Sequence, residues 1–211
     1  MKVNTYLFDF DGTLVDSMPT FVKAMLKVLD DYNVKYGDDI VKIITPLGYK
    51  GSAEHFQKLG LKLSTEEIID IVNKYAINEY TYNIPAKSNV INTLNELKNI
   101  GADLNILTAS PHIMLDPCLK RLGIYDLFSN IWSCEDFSTT KSNPEIYKMA
   151  SRKIGKKVDE IAFLDDNFNA CQTAKNAGMI VYGVYDKSSD RFVEDIKSIT
   201  DKYIYDFSEL L

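Results

Sequence analysis

Three aspartates fall within one short stretch, YLFDFDGTLVDS (residues 6–17), where Asp9, Asp11 and Asp16 follow an apolar run. Adjacent carboxylates repel, and burying them unpaired is costly, so a cation or a reacting group belongs beside them. Complementary pieces lie downstream: Thr108 in LTAS, Lys141 in TTKSNP, and Asp165 and Asp166 in FLDD. Residues i and i+2 of a strand face the same way, which aims Asp9 and Asp11 at one group. One can attack phosphorus while the other handles the leaving-group proton. Thr108, with the backbone N–H groups around Ala109 and Ser110, can hold phosphoryl oxygens, and Lys141 can supply a fixed positive charge. Asp9, Asp165 and Asp166 form a hard-oxygen cluster that suits Mg²⁺, which takes a few carboxylates, waters and a substrate phosphate.

The elements that must carry these residues are readable from periodicity. Residues 3–9 predict a short strand broken by Gly12. Met18, Phe21, Val22, Met25, Leu26 and Leu29 then follow helical spacing, with Asp16 capping or preceding that helix. A Gly-punctuated stretch, TPLGYKGSAEHFQKLG (45–60), predicts short helices and a turn. Residues 64–82 predict a helix capped by Ser64 or Thr65, with Glu66 and Glu67 in its first turn. After Pro85, helices at 88–99, 112–122 and 169–177 alternate with strands at 102–108, 130–133, 160–166 and 179–185. Pro144 opens a further helix, with Ser142 or Asn143 as its cap, and a last helix and a Tyr-rich tail complete the chain. The alternation predicts an α/β fold, a Rossmann-like parallel sheet with helices on both faces. Residues 1–16 and 86–211 would form this core domain, and 17–85 an inserted α-helical cap domain. Every candidate residue then sits at a strand's carboxyl end, where parallel α/β sheets bind ligands.

Composition narrows the classes. A net charge of −6 and a pI near 5.0 leave no basic excess to neutralise nucleic-acid or membrane phosphates. No stretch approaches the ~20 apolar residues of a membrane span. Cys118, Cys134 and Cys171 are too few and too far apart for a disulfide framework or a zinc site. They read as reduced thiols of a cytoplasmic protein. The two histidines, His55 and His112, lack metal-ligand spacing.

DFDGTLVDS, LTAS, KSNPEIY and FLDDN, in that order, resemble the four motifs of the haloacid dehalogenase-like hydrolases, within the helical-cap subgroup of phosphoglycolate phosphatase and β-phosphoglucomutase relatives. The resemblance implies Asp9 as nucleophile and Asp11 as general acid/base, with the Asp11 backbone carbonyl on the metal. It implies Thr108, Ala109 and Lys141 as phosphate-binding residues, Asp166 as a Mg²⁺ ligand, and Asp165 as a second ligand or its neighbour. The implied activity is Mg²⁺-dependent hydrolysis of a small phosphomonoester through an aspartyl-phosphate, with the cap excluding bulk water. A sugar-phosphate mutase is the alternative within the family. A phosphoacceptor signalling domain would order the stations differently and has no place for the insert, and a non-catalytic binding module would not need all four stations. The expected partner is a small phosphorylated metabolite, with no nucleic acid or membrane, for a monomer or homodimer.

Overall fold

The computed structural model describes residues 3–44 and 47–211. They divide into two compact units, one comprising the residues up to Asp16 with Pro85–Leu211, the other Ser17–Ile84. Pro85 belongs with the first unit: its carbonyl accepts from the Asp16 N–H, and Val15 bridges Ala86.

The first unit is built on six parallel strands. They are β1 (Thr5–Phe8), β2 (Asp103–Thr108), β3 (Asn130–Ser133), β4 (Ala162–Asp165), β5 (Ile180–Val184) and β6 (Lys202–Ile204), in the spatial order β3-β2-β1-β4-β5-β6. All four β1 residues are buried, as expected for a central strand covered on both faces. Leu7 packs with Tyr147, Phe163, Cys171 and Ile196 on one face. Phe8 meets Phe128 and Phe207 on the other. The chain runs outward through β2 and β3, then returns to lay β4 against β1. The order therefore reverses between β1 and β4, the place where open α/β sheets bind ligands.

Among the described residues, the second unit contains four helices, α1 (Met18–Asp31), α2 (Ile40–Ile44), α3 (Gly48–Lys58) and α4 (Thr65–Tyr82). Its core gathers Val28, Leu29, Phe56, Ile68 and Val72, with Phe21 edge-on to Tyr49 and Tyr80. Ser64 caps α4 in a reciprocal box: its Oγ accepts from the Glu67 N–H at 3.2 Å, and Glu67 accepts from the Ser64 N–H at 2.7 Å. Ser17 occupies the N-cap of α1, with Asp16 preceding it. Thr45 and Pro46, the start of the Gly-punctuated stretch, lie outside the described residues; from Gly48 that stretch is α3.

The remaining helices are α5 (Val90–Asn99), α6 (His112–Arg121), α7 (Glu145–Ile154), α8 (Phe168–Ala177) and α9 (Val193–Ile199). Three sequence readings are corrected here. Pro144 stands just before α7, while Asn143 Oδ1 accepts from the Glu145 N–H at 3.0 Å. The tail contains β6, a three-residue edge strand too short and too polar to announce itself. Strand β1 stops at Phe8, so Asp9 and Asp11 lie beyond it, on a turn in which Leu14 and Val15 both donate to the Phe10 carbonyl. Among the described residues, no helix is long and apolar enough to cross a membrane.

Candidate active site

Register brings the acidic stations together. Phe8 pairs with Leu164, and the Asp9 N–H donates to the Leu164 carbonyl at 2.8 Å. Asp9 and Asp165 thus leave neighbouring strands side by side. Carboxylate oxygens of Asp9, Asp165 and Asp166 lie within 4.8 Å of one another, and all three side chains are buried. Lys141, on the loop before α7, reaches Asp9 Oδ1 at 2.5 Å and Asp165 Oδ2 at 2.8 Å. The Tyr147 hydroxyl donates to the Lys141 carbonyl at 3.1 Å and fixes that loop from below.

Three carboxylates and one ammonium leave a formal charge of −2 in a site shielded from water. Burial pushes Asp9 well above the ordinary carboxylate range; Lys141 pulls it back, but Asp165, Asp166 and Asp11 push it further up. Burial and the neighbouring Asp165 and Asp186 carry Asp166 to about 7, against the pull of Lys141 and Lys87. Burial works against the Lys141 charge, but Asp165 and Asp9 overcome it and hold the ammonium well above its usual value. A buried set of hard oxygen donors with a charge of −2 fits a divalent, oxygen-seeking cation.

The Asp166 carboxylate is held at both oxygens. Thr13 Oγ1 donates to Oδ1 at 3.3 Å and Ser189 Oγ to Oδ2 at 3.2 Å. Gly12 presses against the same group. It adopts φ +73°, and a Cβ there would lie 2.7 Å from both Asp166 oxygens, so only glycine fits. Asp165 Oδ1 accepts from the Asn167 N–H at 2.7 Å.

The Asp11 carboxylate is not one of the three clustered groups. It turns aside to accept from the Ser110 hydroxyl. Thr108 is buried at the end of β2, and its Oγ1 accepts from the Ser110 N–H at 3.1 Å. That amide is consequently engaged within the loop, while Ala109 between them is exposed.

Sequence reasoning missed four residues around this cluster: Ser110 as a side-chain partner of Asp11, then Lys87, Asp186 and Ser189. Lys87 Nζ donates to the Gly12 carbonyl at 2.6 Å, to Asp186 Oδ2 at 3.0 Å and to the Tyr185 carbonyl. Ser110 lies in the LTAS stretch, but nothing in the spacing of Lys87, Asp186 and Ser189 marks them, because loops far apart in sequence deliver them.

The parallel sheet thus carries an acidic cluster and a lysine at its switch point. Residues 6–184 match the model of the haloacid dehalogenase-like hydrolase family, and the chain belongs to that family as a phosphatase enzyme. It is 28% identical to the pyrophosphatase PpaX of Oceanobacillus iheyensis over 94% of this chain and 96% of that protein. Many solved structures share its fold, among them the following two. A Thermotoga maritima protein assigned as a β-phosphoglucomutase aligns over 99% of this chain and 96% of its own, with a TM-score of 0.85 and 20% identity. The hydrolase YfnB of Bacillus subtilis, solved bound to magnesium, aligns over 100% and 97%, with a TM-score of 0.84 and 16% identity.

Proposed function

We propose that the chain is a Mg²⁺-dependent phosphatase of small phosphorylated metabolites that works through an aspartyl-phosphate on Asp9. The observation that carries this reading is the meeting of Asp9, Asp165 and Asp166 with Lys141 at the β1/β4 switch point. Asp9 attacks phosphorus. Asp11, held by Ser110, protonates the leaving oxygen and then takes a proton from the water that hydrolyses the aspartyl-phosphate. Lys141 remains beside Asp9 and offsets the negative charge of the transferring group. Thr108 shapes the loop on which Ala109 presents its backbone N–H to the phosphoryl oxygens. Magnesium, held by Asp9, Asp166 and the Asp11 carbonyl with Asp165 ligating or orienting, would supply further positive charge to the phosphoryl group. The helical unit of residues 17–84 is assigned the role of a cap that selects substrate.

Likeness to the pyrophosphatase PpaX favours a second reading, in which a phosphoanhydride such as inorganic pyrophosphate is the substrate. The same residues serve it, with phosphate as the leaving group.

Hydrolysis of p-nitrophenyl phosphate, measured in Mg²⁺ and in EDTA for the unaltered chain and Asp9→Asn, tests the chemistry. The expected result is Mg²⁺-dependent release that vanishes in Asp9→Asn. Release that survives in Asp9→Asn would overturn the assignment of the nucleophile. Phosphate release from pyrophosphate, measured alongside a panel of phosphomonoesters, ranks the two substrate readings.

A further inference from the structure

Lys87 lies outside all four sequence motifs, yet its ammonium joins the two loops that hold Asp166. The segment carrying it is itself fixed: the Lys87 N–H donates to the Leu14 carbonyl, and the adjacent Ala86 bridges Val15. Its Nζ is largely buried and meets Gly12 O, Tyr185 O and Asp186 Oδ2. A lysine has three donors, so this one has none left for substrate. One acceptor is on the Gly12–Thr13 turn and the other two begin the Tyr185–Ser189 loop. Thr13 and Ser189 then donate to opposite oxygens of Asp166. Asp186 also accepts from the Ser188 N–H at 2.9 Å and the Ser188 hydroxyl at 2.6 Å, which ties the second loop tightly to the Lys87 anchor.

We infer that Lys87 is a positioning residue for the metal site, clamping the Gly12–Thr13 turn to the Tyr185–Ser189 loop so that the Asp166 carboxylate is presented in one orientation. The inference rests on the proposed role of Asp166 as a metal ligand. Partners that orient a ligand in this way commonly contribute about 10–100-fold to metal affinity.

The sign of the effect separates positioning from plain electrostatics. Lys87 is a positive charge near carboxylates, so its removal alone would make the site more negative and tighten binding of a cation. Loss of positioning does the opposite. Calorimetric titration of the full chain with MgCl₂ distinguishes them, using the unaltered chain, Lys87→Met, Ser189→Ala and the double variant. The expected result is Mg²⁺ binding weakened about tenfold in Lys87→Met and in Ser189→Ala. The double variant should be little worse than either, because both act on the same carboxylate. Ser189→Ala deletes one hydroxyl and decides the matter should Lys87→Met fail to fold. Affinity kept in Ser189→Ala and unchanged or tightened in Lys87→Met overturns the clamp alone. No Mg²⁺ binding by the unaltered chain overturns the metal reading and the inference together.

Discussion

Lys141→Met tests how the acidic cluster is held before any cation arrives. The lysine is the near neighbour of two buried carboxylates, at 2.5 Å from Asp9 and 2.8 Å from Asp165, and the Asp165 side chain is fully buried. Methionine keeps the length of the side chain and removes its charge. Breaking a buried pair by removing one partner costs about 3–5 kcal/mol, because the other charge stays buried without compensation. At about 2–4 °C per kcal/mol for a domain of this size, the variant should melt about 6–20 °C below the unaltered chain in EDTA. Protonation limits that cost. Without the lysine, the folded-state pKa of Asp9, already raised by burial, rises further above its unfolded value. Asp9 then destabilises the fold as pH rises through the interval between its unfolded and folded values, and ceases to do so below the unfolded value near 4. The melting difference should therefore shrink in acid, and Mg²⁺ should restore part of it at neutral pH by supplying the missing charge. Turnover of p-nitrophenyl phosphate should fall about 10²–10³-fold, the usual loss when a preorganised group facing developing charge is deleted. A shift in EDTA worth less than about 1 kcal/mol would refute this account of the cluster.

Three further outcomes are expected. Gly12→Ala places a Cβ 2.7 Å from Asp166 and strains a backbone at φ +73°; it should cost about 1–2 kcal/mol from the backbone alone and abolish activity, and a fully active variant would show that Asp166 need not be where it is. Ser110→Ala removes the hydroxyl that holds Asp11 and should lower kcat with little change in KM, so a pure KM effect in steady-state kinetics would count against Asp11 as the acid/base. His112 bridges Asp116 and Asp136 at 2.9 Å each, and its hydrogen bonds to Asp116 first and Asp136 second raise its pKa. Its stabilisation is present in full below about 6.5 and lost as pH rises through the raised folded value. Urea midpoints of the unaltered chain and His112→Gln should therefore converge from pH 5.5 toward pH 9; parallel curves would remove the histidine from the pH dependence.

The strands and the acidic stations were legible because each depends on local pattern. β1 is a short, mostly apolar run, the four stations follow strand ends, and Ser64 with Glu67 spells out its capping box. What escaped depended on three-dimensional return. Lys87, Asp186 and Ser189 matter only because β5 runs beside β4 and lowers its following loop onto Asp166. The i, i+2 rule likewise aimed Asp11 alongside Asp9, but it presumed a strand that continues. The turn at Phe10–Val15 sends the Asp11 carboxylate to Ser110 instead. Lys141 read as a phosphate ligand, and its ion pairs with Asp9 and Asp165 became visible only once β1 and β4 were neighbours.

The strand order also imposes a timetable on synthesis. β1 is flanked by β2 and β4, and Thr5 pairs with Asp103 while Tyr6 pairs with Ala162. A ribosome adding about 5–20 residues per second needs on the order of ten to thirty seconds to travel from β1 to β4. Through that interval an apolar segment, made to be buried on both sides, has no partner on at least one edge. The helices of residues 17–84 draw their contacts from nearby sequence and can form meanwhile. The segment that leads into Asp9 is thus made long before both of its edges are covered.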